Sequence, residues 1–196
     1  MTFDNRMEPY KIILGSKSPR RKYLLEELGV KFDIRTIDCE ELYPEDMLSK
    51  DVAPYLAQLK GNAFRFELNE NDILITADTV VDLDNQILNK PKGIEHAYAM
   101  LKKLSGRSHL VHTGVCLSST NKQNVFSETT EVTFHTLSDD EIREYIDTCQ
   151  PFDKAGSYGI QEWMGYVGMK KVDGDFFSVM GLPLQLLYRK LNEFID

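Results

Sequence analysis

One carboxylate of this chain stands inside an apolar run. Asp78 lies in the segment 73–81 (ILITADTVV), where most neighbours on both sides are hydrophobic. An ionised carboxylate in such surroundings is costly unless it is paired, hydrogen-bonded or bound to a metal ion. The pattern fits a general base or a metal ligand. It fits equally well an Asp that caps a turn between two buried segments.

A second group of polar residues follows the first apolar run. Residues 16–21 have the sequence SKSPRR. Ser18 is a suitable helix N-cap, and Pro19 suits the first helical position. Arg20 and Arg21 in the first turn are unfavourable beside the positive end of the helix dipole, unless an anion binds there. We therefore favour an anion site at this helix start over a capped surface helix with solvated arginines.

Three further segments carry residues that could contact a phosphate-containing ligand. Segment 89–93 (NKPKG) places two lysines on a proline-stiffened loop, and segment 38–41 (DCEE) clusters acids that could hold a divalent cation. Segment 153–161 (DKAGSYGIQ) offers glycines for close backbone approach, and Gln161 could read the edge of a base. Taken alone, each segment fits a surface loop or turn without a ligand at least as well.

The motifs exclude several other kinds of site. The chain has no P-loop sequence, no His-Glu-x-x-His zinc motif and no Gly-x-Ser-x-Gly nucleophile turn. His109 and His112 are an odd number of residues apart on a predicted strand, so we expect them on opposite faces. The three cysteines are scattered without Cys-x-x-Cys spacing, which predicts reduced thiols.

Composition and charge narrow the class of protein. The chain of 196 residues is 42% hydrophobic, which supports a real core, and its net charge is −8. Such an acidic body is a poor partner for a nucleic-acid polymer, so the basic residues near 17–22 favour a small, highly charged anion. No apolar run approaches the roughly 20 residues of a membrane helix. The first ten residues lack an apolar signal core, so we expect a cytoplasmic location and no membrane partner.

Hydrophobic periodicity predicts interleaved strands and helices. Strands are expected at 11–15, 31–37, 73–76, 79–83, 109–118, 125–135 and 165–172. A hairpin turn is expected at Asp84-Asn85, leading into Ile87 and Leu88. Helices are expected at 19–28, 51–68, 94–104 and 184–194, and from Ser138 with a capping box. Several strand pairs look antiparallel, which predicts an α/β fold with a mixed sheet. No composition shift marks a boundary, so we predict one domain over 1–196, with two lobes around a central cleft and residues 1–10 as a loose extension.

Taken together, these motifs resemble the Maf family of nucleoside triphosphate pyrophosphatases. The resemblance rests on SKSPRR at 16–21, ADTVV at 77–81, KP at 90–91, LSGRSH at 104–109, TGV at 113–115, DKAG at 153–156, YGIQ at 158–161 and GLPL at 181–184. Each motif is weak alone. In this order the set is highly specific, and it runs from about Ile12 to the closing helix.

The resemblance implies both a fold and a reaction. The fold would be an elongated, Maf/ITPase-like mixed sheet flanked by helices, often dimeric. The reaction would be hydrolysis of the α–β phosphoanhydride of a nucleoside triphosphate, with a divalent metal such as Mg²⁺ or Mn²⁺. By analogy, Asp78 would accept a proton from the attacking water, and Glu41 and Asp78 would lie near the metal.

The resemblance also implies which residues contact the substrate. The phosphate cleft would be lined by Ser16, Arg20, Arg21, Lys60 and Lys90. Base preference would depend on Arg20, Thr79 and Gln161, whose identities resemble the dTTP/UTP-preferring branch more than the 7-methyl-GTP branch. Two alternatives stay open at this point. One is a nucleotide-binding regulator of cell division without significant turnover, and the other is a phosphatase that releases orthophosphate.

Overall fold

One mixed sheet forms the centre of the fold. The computed structural model describes residues 6–36, 38–64 and 67–196. Within them the strands are β1 (Lys11–Leu14), β2 (Phe32–Ile34), β3 (Asp72–Leu83), β4 (Gln86–Leu88), β5 (Ser108–Ser118), β6 (Gln123–Phe134) and β7 (Met169–Asp173). Their order is β2-β1-β3-β5-β6-β7, with β4 paired to β3. β1 runs parallel to β2 and β3, and the other pairs are antiparallel, which confirms the predicted α/β fold with a mixed sheet.

Helices cover both faces of this sheet. In the described part of the chain they are α1 (Pro19–Glu27), α2 (Ser49–Phe64), α3 (Ile94–Leu104), α4 (Asp139–Cys149), α5 (Phe176–Met180) and α6 (Leu184–Ile195). On one face α2 packs against the sheet. On the other face α1 and α6 cover one half, and α3 and α4 cover the other half. Across the described ranges, none of these helices is both long and apolar enough to cross a membrane.

The long strand β3 crosses from one apolar cluster to another on each face. On the face of α2, Leu74 belongs to one cluster and Val80 to a second. On the opposite face, Ala77 belongs to one cluster and Val81 to another. Asp78 and Thr79 are polar side chains between these clusters, one on each face. The middle of β3 is therefore the place where the apolar core is interrupted.

The edge of β3 that faces β1 is also interrupted there. β1 pairs with β3 as far as Ile75, and β4 pairs with β3 from Val81 onward. Among the described residues, 76–80 have no strand partner on this edge. We call the unpaired part of this edge, residues 76–80, the gap. It lies where the apolar clusters are also interrupted, so polar side chains of β3 can face a ligand there.

Several local sequence signals are confirmed. Ser18 caps α1, with Pro19 at the first helical position. The hairpin turn between β3 and β4 has Asp84 and Asn85 at φ 55° and 62°, as a two-residue type I′ turn requires. The capping box of α4 is complete, because the Ser138 side chain accepts from the backbone of Glu141 and the Glu141 carboxylate accepts from the Ser138 backbone at 2.7 Å.

Other elements differ from the predicted bounds. The helix predicted at 51–68 is α2, which begins at Ser49 and so leaves Pro54 in its interior, and residues 65 and 66 lie outside the described residues. An interior proline costs about 3 kcal/mol, which burial of Val52 and Leu56 against the sheet offsets. The strand predicted at 31–37 is the shorter β2, and Ile37 also lies outside the described residues. The two stretches predicted on either side of Asp78 form one continuous strand, so Asp78 is not a turn residue.

Two features near the end of the chain were not predicted. The segment predicted as a strand from 165 begins with a π-helical turn, Met164–Gly168, and only then becomes β7. A Cβ on Gly165 would lie 1.7 Å from the carbonyl oxygen of Ile160, so this turn needs a glycine there. α5 is only five residues long, too short for a periodic pattern, and the Asp175 side chain caps it.

Part of the predicted N-terminal extension contacts the body of the protein. Residues 1–5 lie outside the described residues. Met7 is buried in the cluster formed with α1 and α6. Arg6 donates to the side chain of Asn192 on α6 at 2.9 Å. Residues 6 and 7 therefore belong to the packed structure.

Candidate active site

A cleft of about 590 Å³ includes Asp78 and Thr79 at the gap. Its walls come from the start of α1, Thr36, the segment 38–41, α2, β3 and the loop after α4. Eight of the nine predicted site residues line it: Ser16, Arg20, Arg21, Glu41, Lys60, Asp78, Thr79 and Lys90. The fold therefore brings together residues that are up to 74 positions apart in the sequence.

Lys60 joins the two predicted acids. Its Nζ donates to Asp78 Oδ1 at 2.5 Å and lies 2.7 Å from Glu41 Oε1. The side chains of Lys60 and Asp78 are 16% and 12% exposed, so this pair is largely removed from water. Two nearby carboxylates repel each other, and the ammonium between them offsets this repulsion.

The charge of Glu41 is set by its cationic neighbours. Partial burial raises the pKa of its carboxyl, but the hydrogen bond and charge of Lys60 outweigh this, with further help from Lys90 and Arg21. The pKa of Glu41 therefore lies below its ordinary value, and the group is ionised at neutral pH. The positive charge of Lys90 thus acts on the same part of the cleft.

Gly114 allows α2 to lie close to the strand that carries Asp78. Gly114 is the β5 residue that pairs with Asp78. A Cβ at this position would lie 2.2 Å from the backbone nitrogen of Pro54 and 2.4 Å from the carbonyl carbon of Ala53. Since no real contact is this short, any larger residue would push α2 away from the sheet. The position of Lys60 on α2 therefore depends on a glycine two strands and one helix away in sequence.

Arg21 is fixed by three hydrogen bonds. Its Nε donates to the carbonyl of Gly181 at 2.8 Å. Its two Nη atoms donate to Thr79 Oγ1 at 3.2 Å and to Ser16 Oγ at 3.4 Å. Burial lowers the pKa of the guanidinium below its ordinary value, and the charge of Asp78 opposes this shift. Arg21 thus places a fixed positive charge where α1, β3 and the end of α5 meet.

Asp78 and Thr79 reach the cleft from opposite faces of β3. Asp78 faces Lys60 on α2. Thr79 Oγ1 lies 2.9 Å from Thr113 Oγ1, and Thr113 donates to the carbonyl of Ser178 on α5. Successive side chains of a strand point to opposite faces. Because β3 has no partner strand at the gap, a single cleft reaches the side chains on both of its faces there.

Arg20 pairs with an acid that was not predicted as a site residue. Its Nη1 lies 2.7 Å from Asp153 Oδ2, and Asp153 Oδ1 accepts from Lys154 Nζ at 2.8 Å. Burial raises the pKa of Asp153, but the hydrogen bonds from Lys154 and Arg20 outweigh it and hold the pKa below its ordinary value. Arg20 and Asp153 are 133 positions apart, so no local pattern signals their contact.

Gln161 lies outside the group of residues that line the cleft. Its Nε2 donates to Glu162 Oε1 at 3.4 Å. Its Oε1 is buried and has no hydrogen-bond partner among the described residues. The arrangement therefore separates Gln161 from Arg20 and Thr79, the two other residues expected to affect base preference.

Glu41 and Asp78 are the acids that could hold a divalent cation. Mg²⁺ is usually bound by one or two carboxylates and completes its shell with substrate phosphates and water. Both carboxylates contact the same ammonium, so their oxygen atoms face a common point in the cleft. This donor set fits a cation that binds together with a triphosphate. Within the described ranges, no group of three or more His, Cys, Asp or Glu residues could hold a metal ion.

Two curated relatives match almost the whole chain. A dTTP/UTP pyrophosphatase of Bacteroides thetaiotaomicron is 48% identical over 188 residues, which covers 95% of this chain and 97% of that protein. A dTTP/UTP pyrophosphatase of Porphyromonas gingivalis is 48% identical over 193 residues, with 97% of each chain covered.

A solved structure shares the fold. The Staphylococcus aureus Ham1 protein superposes with a TM-score of 0.55 at 16% identity, covering 93% of this chain and 98% of that chain. The model of the family described as Maf-like protein matches residues 11–194, almost the whole chain. Together with the relatives of 48% identity, this match shows that the chain belongs to the Maf family.

Proposed function

We propose that this chain hydrolyses dTTP and UTP at the α–β phosphoanhydride and releases the nucleoside monophosphate and pyrophosphate. The observation that carries the proposal is the cluster of Asp78, Lys60 and Glu41 at the gap, with Arg20 and Arg21 in the same cleft. The relatives named dTTP/UTP pyrophosphatases match over nearly their whole length, which supports the same substrates here.

In this proposal Asp78 accepts the proton of the attacking water. Lys60 occupies Oδ1 of Asp78, which leaves Oδ2 for the water. The water oxygen forms a bond to the α-phosphorus while the bond from that phosphorus to the bridging oxygen breaks. The electron pair of the broken bond leaves with pyrophosphate, and the water proton passes to Asp78. A carboxylate is a weak base at neutral pH, so orientation of the water contributes much of the rate.

The basic residues stabilise the charge of the substrate. Negative charge grows on the leaving pyrophosphate, and the fixed cations Arg21 and Lys60 favour this state over the reactant. Lys90 and Arg20 add positive charge on the same cleft. A divalent cation held by Glu41 and Asp78 would supply further Lewis-acid stabilisation of phosphate oxygens. The net charge of the chain is −8, so the protein as a whole repels an anionic substrate. The local cluster of basic residues overcomes this repulsion at the cleft.

Product analysis tests the proposal. The purified protein is incubated with dTTP, UTP, CTP, GTP and dATP in Mg²⁺ or Mn²⁺, and the products are separated by ion exchange. We expect dTMP or UMP together with pyrophosphate, and no turnover in excess EDTA. Orthophosphate as the first product would indicate a phosphatase, and the absence of any product would indicate a regulator. The names of the relatives do not favour the regulator.

We also propose a cytoplasmic location and a homodimer. A nucleoside triphosphate substrate is a cytoplasmic metabolite, and fractionation of cells tests the location. Light scattering on a size-exclusion column tests the dimer, because a monomer has a mass of 22.5 kDa and a dimer twice that mass.

A further inference from the structure

A series of charged groups leads from the cleft into the adjacent core. Asp153 shares its two oxygen atoms between Arg20 and Lys154. Lys154 Nζ also lies 3.0 Å from Glu162 Oε1. The other oxygen of Glu162 accepts from the hydroxyl of Tyr145 at 2.6 Å. We call Asp153, Lys154 and Glu162 the relay.

The inner end of the relay is anchored in the core. Tyr145 is buried in the apolar cluster that includes residues of α3 and α4, and its hydroxyl also accepts from the backbone N–H of Gly159 at 3.0 Å. Lys154 is only 7% exposed. A buried ammonium between two carboxylates is stable only while both partners stay in place, and removing one partner leaves a buried charge without compensation. The three residues of the relay therefore fix one another.

The relay contacts two residues expected to affect base preference. At one end, Asp153 holds Arg20, whose side chain is 23% exposed. At the other end, Glu162 holds the amide nitrogen of Gln161. Gln161 itself lies outside the cleft lining, and this hydrogen bond of 3.4 Å is its side-chain contact with Glu162.

We propose that Asp153, Lys154 and Glu162 are positioning residues that hold Arg20 and Gln161 in one arrangement, and that this arrangement sets base preference. The inference rests on the proposed function. An arginine side chain has many rotamers, and a guanidinium that is already fixed loses less entropy when the substrate binds. A free Arg20 would still attract phosphates of any nucleotide. The fixed Arg20 favours the substrates that fit its position.

The substitution Lys154→Met tests the relay, because it removes the ammonium and keeps most of the volume. We expect the KM for dTTP to rise about tenfold and the ratio of kcat/KM for dTTP over CTP to fall by a similar factor. The kcat for dTTP should change by less than about threefold, because Asp78 and Lys60 are untouched. A merely structural defect would lower kcat equally for all nucleotides and leave KM and the ratio unchanged, and that result would overturn the proposal.

A double substitution separates positioning from direct contact. Lys154 itself lines the cleft, so it could bind the substrate directly. If Lys154 acts through Arg20, adding Lys154→Met to an Arg20→Gln variant should raise KM by less than about twofold. A full additional tenfold rise would show a direct contact and contradict the relay.

Further variants keep the test valid if Lys154→Met does not fold. Glu162→Gln keeps an acceptor for Tyr145 but loses the charge that pairs with Lys154, and we expect the dTTP preference to fall about threefold. Lys154→Arg keeps the charge and should retain most of the preference. The control is Lys171→Met on β7, whose ammonium pairs with Asp173 at 2.6 Å outside the cleft, and it should match the wild type. An unchanged preference in Glu162→Gln would refute the relay.

Measurements on the wild-type protein distinguish a failure of the proposed function from a failure of the relay. If the wild type forms no monophosphate from any triphosphate, the proposed function fails. The relay is then tested by comparing how tightly the wild type and Lys154→Met bind non-hydrolysable analogues of dTTP and CTP. If the wild type hydrolyses dTTP selectively and Lys154→Met is equally selective, only the relay fails. A wild type that hydrolyses every base equally would also refute the relay.

Discussion

Lys60 is the residue that joins the two acids of the proposed reactive centre. Its ammonium lies between Asp78 and Glu41, which would otherwise repel each other. It occupies one oxygen of each carboxylate and leaves the second oxygen of each for water or a cation. One side chain of α2 therefore determines both the orientation of the proposed base and the position of the second acid.

The first prediction concerns the proposed base. Asp78→Asn keeps the size of the side chain and its contact with Lys60 but removes the proton acceptor. We expect kcat for dTTP to fall about a hundredfold or more, with dTTP binding within about threefold of the wild type. Steady-state kinetics and isothermal titration calorimetry measure the two quantities.

The matched control is Asp82→Asn, on the same face of β3 and outside the cleft lining. Its turnover should stay close to that of the wild type. Near-wild-type turnover by Asp78→Asn would contradict the role of Asp78.

The second prediction concerns the cation. Glu41→Gln removes one of the two carboxylates that fit a divalent ion, so the Mg²⁺ concentration for half-maximal rate should rise about tenfold. The measurement is a Mg²⁺ titration at saturating dTTP. Glu45→Gln, on an exposed residue four positions further along the same segment, is the control. Identical Mg²⁺ curves for Glu41→Gln and the wild type would exclude Glu41 as a ligand.

At the residue scale, the sequence signals some of the candidate site residues and not others. Asp78 is conspicuous because its neighbours are apolar, and Arg20 and Arg21 are conspicuous because they stand at the wrong end of a helix dipole. Lys60 has no such signal, since a lysine on an amphipathic helix is usually solvated, and only the resemblance to a family pointed to it. The contact of Arg20 with Asp153 joins segments 133 positions apart and is a property of the tertiary fold.

Elements with local start and stop signals were predicted well. The helix at 94–104, the hairpin turn at 84–85 and the capping box of α4 depend on neighbours within a few residues. The π-helical turn before β7 depends on the contact of Gly165 with Ile160, which no periodicity shows. The continuity of β3 through Asp78 depends on β5, which pairs with it along residues 74–82.

The third prediction belongs to the contact of α2 with the sheet. Gly114→Ala would place a Cβ 2.2 Å from the backbone of Pro54, so α2 must shift and carry Lys60 away from Asp78. We expect a loss of about 1–3 kcal/mol in the free energy of unfolding, with kcat for dTTP reduced at least tenfold in the folded fraction. Urea denaturation and kinetics at a temperature where the variant is folded measure both.

Ser127→Ala is the control for this substitution. Ser127 pairs with Gly114 on the neighbouring strand and is exposed, so its loss should change neither quantity appreciably. If Gly114→Ala retained both full stability and full activity, the close approach of α2 would not be required for the site.

At the scale of the whole molecule, the core contains a histidine that the proposed reaction does not use. His109 Nε2 lies 2.6 Å from the hydroxyl of Tyr158, and its ring meets Phe134 edge-on at 5.1 Å. Burial lowers the pKa of His109 to about 4, against an ordinary value of 6.5. Between these values the unfolded chain binds a proton that the folded chain does not. The neutral His109 therefore makes its full contribution to the free energy of unfolding above pH 6.5. This contribution is lost as the pH falls towards 4, because protonation then favours the unfolded chain.

The fourth prediction follows from this difference. His109→Gln can still bond to Tyr158 but does not titrate. On going from pH 7 to pH 4.5, the free energy of unfolding of the wild type should fall by about 2–3 kcal/mol more than that of the variant. Urea denaturation at four or five pH values measures the difference. Parallel pH profiles for the two proteins would show that His109 does not contribute.

β3 presents Asp78 and Thr79 at adjacent positions to opposite sides of the sheet. In evolutionary terms, this alternation places two proposed roles, the rate of cleavage and the choice of base, on opposite faces of one strand. By the roles that the family resemblance implies, a substitution at Asp78 would change how fast any nucleotide is cleaved, and one at Thr79 would change which nucleotide is preferred. With these roles, a single codon change at Thr79 would give a new substrate preference and leave the ancestral reaction at Asp78 intact.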